Sequence, residues 1–307
     1  MNSKRNFEEV CYERNSENFN ECILGGKDAN FSRTWLETDT VEAWRHQRMY
    51  QTIDPILKTE PEAKWLTVGD GRYGNDAKYI LDKGCEALPT DISDVLLKEA
   101  KELGYIADYR KENAEFLTFK DSEFDYVFCK ESYHHFPRPM IALYEMLRVA
   151  RKGVVLIKPN DKSINNYYSK FSEKFFRNLK DLLKTLIKRE TTKDGYEELG
   201  NYVFSISRRE IEKVALGLNY KMVAFKGIND AYVKGVENEK LSVNGPLQKQ
   251  VKKSISIKNL LVKIGFTDYY LLTAIIFKQE PSKNLLHNLS INGFEIVKLP
   301  ANPYIHD

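Results

Sequence analysis

Apolar residues along the chain alternate between two spacings. Short β-rich runs at Lys64–Val68, Glu86–Thr90, Phe124–Cys129 and Val154–Lys158 predict strands. Between them, Asp76–Asp82, Ser93–Leu103 and Pro139–Val149 carry apolar residues every three or four positions and predict helices. A further short strand is expected around Tyr109. Strands that alternate with helices imply parallel βαβ units with right-handed crossovers, and so an α/β sheet with helices on both faces. The alternation starts after Pro61. Upstream, the leader is polar with scattered aromatic residues, and Thr40 ahead of Val41-Glu42-Ala43-Trp44 has the chemistry of an N-cap and first turn. Residues 1–60 therefore read as an N-terminal helical cap.

The rhythm changes after Pro159. Across Lys170–Glu190, Phe171, Phe175, Leu179, Leu182, Leu183 and Leu186 share one helical face, and lysines and arginines fill the other. Such a basic amphipathic helix suits a lid, an anionic substrate or peripheral contact with an anionic membrane surface. Ser207 with Glu210 three residues on forms a capping box that opens a helix to about Leu216. Lys221–Lys226 and Tyr269–Phe277 read as the last two strands of the sheet. The tail from Asn284 is polar and contains prolines, with a short strand at Phe294–Val297. These boundaries give a cap over 1–60, a catalytic domain over 61–280 with a substrate-recognition insertion at 160–206, and a C-terminal extension over 281–307.

Composition narrows the classes. The chain has 307 residues, 42% hydrophobic and 30% charged, enough for one large core. A formal net charge of +3 gives no global footprint for nucleic acid. The four cysteines, Cys11, Cys22, Cys85 and Cys129, are scattered, which argues against a zinc knuckle or disulfide framework and fits a reducing compartment. No cluster of metal ligands stands out. The start of the chain lacks an apolar signal region, and no apolar run approaches the ~20 residues that span a bilayer. A cytoplasmic protein is expected; oligomeric state is not legible.

Chemistry begins at Val68-Gly69-Asp70-Gly71-Arg72-Tyr73-Gly74, between a strand and a helix. Glycines there permit a sharp turn and a close approach of ligand to backbone, and the helix start offers N–H groups and positive dipole. Asp91, at the end of the second strand, stands where a carboxylate can accept hydrogen bonds from ribose hydroxyls. Its other reading is a cap for the helix from Ser93. Both features suit a nucleoside ligand, whether a dinucleotide or an adenosyl cofactor.

Four later segments choose between these. Glu112-Asn113-Ala114-Glu115-Phe116-Leu117-Thr118-Phe119, Glu123-Phe124-Asp125-Tyr126-Val127-Phe128, His134-His135-Phe136-Pro137 and Glu145-Met146-Leu147-Arg148-Val149 follow in order. Over Trp65 to Pro159 the chain resembles the class I S-adenosylmethionine-dependent methyltransferases of the "methyltransferase domain 11" kind. That resemblance implies a Rossmann-like, seven-stranded, mainly parallel sheet with the last two strands forming an antiparallel end, and S-adenosyl-L-methionine as cofactor. It places Gly69, Asp70, Gly71 and Gly74 along the methionine part, Asp91 at the ribose, Ile92 on adenine, and Asn113 and Ala114 at the adenine edge. Asn113 stands where the family has aspartate, and its carbonyl can still accept the hydrogen bond.

The segment Cys129-Lys130-Glu131-Ser132-Tyr133-His134-His135 follows the fourth strand, at the carboxyl end of the sheet where ligands bind. A hydroxyl acceptor needs a base titrating near working pH, which nominates His134 or His135, then Glu131. Lys130 is assigned to the cofactor, with Tyr133, Asn160, Asp161 and Tyr202 at the substrate. In the leader, Arg45 or Arg48 could meet a cofactor carboxylate bidentately. The glycine loop and the Lys-Glu-Ser-Tyr-His-His turn also resemble variants in bacterial surface-polysaccharide biosynthesis, so the expected acceptor is a sugar or glycan precursor. Two rivals stand beside this reading: an NAD(P)-dependent oxidoreductase using the same loop, and a non-catalytic cofactor-binding homologue.

Overall fold

The computed structural model describes residues 6–21, 29–161, 195–196 and 202–304. Five parallel strands form one side of the main sheet: β1 (Lys64–Val68), β2 (Glu86–Asp91), β3 (Arg110–Lys111), β4 (Phe124–Lys130) and β5 (Ala150–Pro159). They lie in the order β3-β2-β1-β4-β5. Two residue pairs, Gly195–Tyr196 (β6) and Tyr202–Val203 (β7), make a separate antiparallel ladder. Beyond β5 the sheet turns antiparallel, with β8 (Met222–Ile228) and β9 (Leu271–Phe277) in the order β5-β9-β8.

The expected sheet had seven strands, and the described residues hold eight. The eighth, β10 (Glu295–Lys298), is the short strand expected at Phe294–Val297, and it joins the sheet by pairing antiparallel with β8. Packing explains it. The helix Lys283–Ile291 buries Leu285 and Leu289 beside Ile56 and Leu57, and Asn288 donates to Thr59 at 2.9 Å. The tail is thereby led back along the open side of β8, where a strand covers unpaired backbone groups.

The helices, in chain order, are α1 (Phe7–Glu21), α2 (Ala29–Arg33), α3 (Val41–Tyr50), α4 (Asp54–Thr59), α5 (Asn75–Leu81), α6 (Val95–Glu102), α7 (Pro139–Val149), α8 (Arg208–Gly217), α9 (Pro246–Lys263) and α10 (Lys283–Ile291). The expected caps form. Thr40 accepts the Ala43 N–H at 3.1 Å, and Ser207 and Glu210 make a reciprocal capping box. The 18-residue α9 has no side-chain cap at Gly245 and begins with Pro246 in its first turn. The basic helix expected over 170–190, and most of the insertion around it, lie outside the described residues.

Period-two alternation divides the core. Leu66, Val127 and Leu156 pack on one face with Leu143, Met146 and Ile211. Trp65, Phe128 and Ile157 pack on the other with Ile56, Ile80 and Leu285. Every position of β4 is buried, as a strand covered on both faces requires. Strand order reverses at β1, which has β2 on one side and β4 on the other. That reversal opens a crevice at the carboxyl ends of the strands.

Candidate active site

The loop after β1 closes over its neighbours so tightly that side chains are excluded. Gly69 has φ +76°, and a Cβ there would overlap Ser132 Cβ; Ser132 Oγ donates to the Gly69 carbonyl at 2.5 Å. A Cβ on Gly71 would lie 2.9 Å from the Asp91 carboxylate. The loop and the end of β2 therefore form one continuous wall. Gly74, φ +70°, ends the turn against Ile106, Leu97 and Pro89, so it serves helix–strand packing and does not line the cavity.

Asp70 turns inward. It accepts from Thr67 Oγ1 (2.8 Å), from Asp76 N–H (3.1 Å) and from Ala77 N–H (2.9 Å). Burial, with Asp76 nearby, pushes its carboxyl well above the usual range. Asn75 N–H goes to the Arg72 carbonyl and Lys78 N–H to that of Gly74. The first four N–H groups of α5 are all spent within the protein, and none remains for an incoming anion.

A cavity of about 680 Å³ lies over this wall. Of the residues expected at the cofactor, Gly69, Asp70, Gly71, Asp91, Ile92, Ala114 and Lys130 line it. Asp91 is buried, accepts the Ser93 N–H at 2.9 Å, and has its carboxyl raised to about 6 by burial. Asn113 is not in the lining; its carbonyl oxygen accepts the Glu115 N–H at 2.9 Å, closing a local turn. Glu112 and Ala114 line the cavity in its place.

Helices of the leader form the opposite wall. On α3, Glu42, His46 and Tyr50 recur at four-residue spacing and face the cavity together. Lys130 reaches across from β4. Its ammonium lies 3.1 Å from His46 Nδ1, 3.2 Å from Asp76 Oδ1 and over the Tyr50 ring, while Tyr50 donates to Asp76 at 2.8 Å. A lysine ammonium can only donate, so His46 Nδ1 accepts and its Nε2–H donates to Glu42 at 3.0 Å. Burial and the ammonium lower the His46 pKa to about 4, which keeps the ring neutral. Glu42, despite burial, is held at about 2 by the His46 hydrogen bond and by Arg45. Lys130, expected at the cofactor, thus spends its charge clamping the cap to the sheet. Arg45 is likewise paired with Asp230 and Glu42, and Arg48 donates to the Asn229 carbonyl and stacks on Trp44. The arginine at the rim is Arg72, over the Trp35 ring at 4.6 Å.

A smaller chamber of about 330 Å³ adjoins the first, and Phe31, Trp35, Glu42, His46, Arg72, Glu131 and His135 border both. His134 and Tyr232 border only the smaller one. Glu131 has φ 57°, a left-handed turn at the end of β4 that aims its side chain sideways. Its Oε1 is buried with no hydrogen-bond partner among the described residues, and burial raises the carboxyl's pKa. His134 Nδ1 is also buried without a partner, and burial drives that ring far below ordinary histidine. Both side chains border the smaller chamber.

The expected substrate residues do not gather there. Tyr133 is in the core, its hydroxyl 3.7 Å from Met140 Sδ, because the 3-10 turn Tyr133–His135 points successive side chains apart. Asn160 is buried and donates to the Tyr269 carbonyl at 3.1 Å. Asn160, Asp161 and Tyr202 are absent from the lining of both chambers among the described residues. Tyr202 packs edge-on to Phe204 at 5.1 Å. Among the described residues no cluster of metal-ligating side chains occurs.

Residues 66–157 match the family model described as a methyltransferase domain. The matched stretch carries the glycine loop, Asp91 and the Glu131–His135 turn. That stretch is a methyltransferase domain. Among solved structures it is similar to YcgJ from Bacillus subtilis, with 17% identity and TM-score 0.43 over 75% of this chain and 99% of that one. A methyltransferase from Methanosarcina mazei shares 14% identity with TM-score 0.44, over 74% and 98% of the two chains. Magnesium protoporphyrin IX methyltransferase from Synechocystis, solved with bound S-adenosylhomocysteine, shares 12% identity with TM-score 0.47, over 89% and 100%. None of the curated proteins matches the chain.

Proposed function

We propose that the enzyme transfers a methyl group to a hydroxyl, or an amine, of a small polar acceptor of the sugar or glycan-precursor kind. The observation that carries this reading is the second chamber, which shares a wall with the larger cavity and is bordered by two side chains with buried polar atoms that have no partner among the described residues, Glu131 Oε1 and His134 Nδ1. Such atoms call for hydrogen-bond partners, and the hydroxyls of a polyhydroxyl ligand both donate and accept. Trp35 and Tyr232 give the chamber aromatic faces on which a sugar ring can lie.

When bound, S-adenosylmethionine would supply an electrophilic methyl group: the acceptor atom bonds to the methyl carbon as the carbon–sulfur bond opposite it breaks, and S-adenosylhomocysteine leaves. The protein's part is to hold and align. Gly69 and Gly71 keep the wall flat, Asp91 takes ribose hydroxyls, and Ile92 and Ala114 border adenine. Arg72 meets the cofactor carboxylate at the rim. Glu131, whose carboxyl burial raises above its ordinary value, accepts the proton of the acceptor hydroxyl, and His135 stands beside it at the junction of the chambers. His134 orients the acceptor through Nδ1.

The dinucleotide alternative finds no support in the loop. A pyrophosphate needs free N–H groups at the start of α5, and Asp70 already occupies them. Calorimetry tests both: S-adenosylhomocysteine binds and NADH does not. Labelled methyl transfer to a panel of nucleotide sugars then tests the acceptor class. Cofactor binding with no transfer to any hydroxyl or amine acceptor would favour the non-catalytic homologue.

A further inference from the structure

We propose that α9 is a docking surface for anionic lipid membranes. The helix carries two apolar stripes. Val251 and Ile255 point inward and pack with Val41, Ala231 and Val236. On the opposite side Ile257, Leu260 and Ile264 are 49%, 59% and 60% exposed. Lys249, Lys253, Ile257, Leu260 and Ile264 follow at spacings of four, four, three and four, so one outward face joins three large aliphatic side chains to two lysines. Isolated exposed apolar residues are ordinary, but a contiguous row on a helix is the mark of an interaction surface.

Charge selects the occupant. Residues 240–267 contain six lysines and no acidic residue. Lys240 pairs with Glu37, Lys252 lies over Trp44, and Lys258 donates to the Asp230 carbonyl. Lys249, Lys253 and Lys263 have no acidic partner among the described residues. Glu239, just ahead, is spent on the helix start, accepting from Leu247 and Gln248 N–H groups. A uniformly positive face repels a second copy of itself and suits a surface of lipid phosphates. There the aliphatic groups enter the headgroup layer while the lysine stems extend their ammonium groups to phosphate. The placement has a consequence. Trp44 and Leu241 pack under α9 and also line the cofactor cavity, so docking would bring the cavity rim within about one helix diameter, ~10 Å, of the lipid surface.

The test uses the full chain and needs neither cofactor nor acceptor, so its outcome is independent of the methyl-transfer reading. Sedimentation with vesicles of phosphatidylcholine containing phosphatidylglycerol is expected to carry the protein down, and pure phosphatidylcholine vesicles are not. Each lysine near an anionic surface is worth about fivefold in partition, so the triple variant K249Q/K253Q/K263Q should lose roughly a hundredfold. A second variant, I257S/L260S, should weaken binding at unchanged charge. All the altered side chains are exposed; an unchanged melting temperature and far-ultraviolet circular dichroism would show both variants folded. Equal sedimentation of wild type and the triple variant, or no sedimentation with anionic vesicles, overturns the proposal. Dimerisation that I257S/L260S abolishes, without vesicle binding, would assign the face to a second copy instead.

Discussion

Asp91 joins the cofactor wall to a titration that can be measured. Burial raises its carboxyl from 3.8 to about 6. The raised value means the folded protein holds this proton more tightly than the unfolded chain. The group's favourable contribution is complete below pH 3.8 and gone once the pH passes 6, a loss of about 3 kcal/mol. Ribose hydroxyls donate to the ionised form, so the cofactor must bind the deprotonated protein and release a proton wherever Asp91 is still protonated. The affinity for S-adenosylhomocysteine should therefore rise about tenfold per pH unit up to pH 6 and level off above it. Asp91→Asn keeps the shape but abolishes the charge. With one charge-assisted bond lost, worth about 1.5–3 kcal/mol, affinity at pH 7.5 should fall roughly 10–150-fold. Its dependence between pH 5 and 7 should flatten. Titration calorimetry in two buffers of different ionisation enthalpy reads affinity and proton release together. An Asp91→Asn profile parallel to wild type would refute the reasoning, since another group would then carry the titration.

Four further outcomes are expected. Glu131→Gln should leave S-adenosylhomocysteine affinity within a factor of a few and cut methyl transfer about 10²–10⁴-fold, read by single-turnover labelling once an acceptor is found. Gly69→Ala must accommodate a Cβ against Ser132 at φ +76° and should cost at least about 2 kcal/mol in urea unfolding. Lys158 is fully buried, and its Nζ has no hydrogen-bond partner among the described residues, so Lys158→Met should raise stability by about 1–4 kcal/mol; a loss would point to a function for the amine. His46 should show neutral-ring nitrogen shifts by NMR down to pH 5, whereas Lys130→Met should let its pKa rise by removing the ammonium beside Nδ1.

What could be read from the sequence follows from how local its cause is. The strands β1, β2, β4 and β5 and the helices α5 and α7 announce themselves because one periodicity dominates each. The capping box at Ser207 is local chemistry within four residues. By contrast α9 hides because its apolar residues lie on two opposite faces, Val251 and Ile255 inward and Ile257, Leu260 and Ile264 outward, so no single stripe emerges. The leader showed its helix start at Thr40 but not its contribution to the site. Glu42, His46 and Tyr50 matter through Lys130, which is 84 residues from His46 in sequence, and only packing brings them together. Their four-residue spacing was the available signal, and it is shared by any amphipathic helix.

Orientation is the harder part of a site to read, and the glycine loop and the turn after β4 show why. In Gly69-Asp70-Gly71 the carboxylate can face the ligand or the helix start, and the choice depends on Thr67 and the unsatisfied N–H groups of Asp76 and Ala77. A helix with four orphan donors attracts the nearest acceptor, and Asp70 is already on the chain beside it. At the turn, one residue with positive φ redirects the rest. Because Glu131 takes φ 57°, a conformation that costs a non-glycine residue about 1–3 kcal/mol, the strand stops there and the next side chains fan out. Tyr133 enters the core, His134 borders the smaller chamber, and Glu131 and His135 reach the junction. A straight continuation of β4 would have alternated these groups between the two faces of the sheet and assembled none of them beside the cofactor. The backbone strain at Glu131 is therefore best explained by what it positions, the one buried carboxylate oxygen in the chamber without a partner of its own among the described residues.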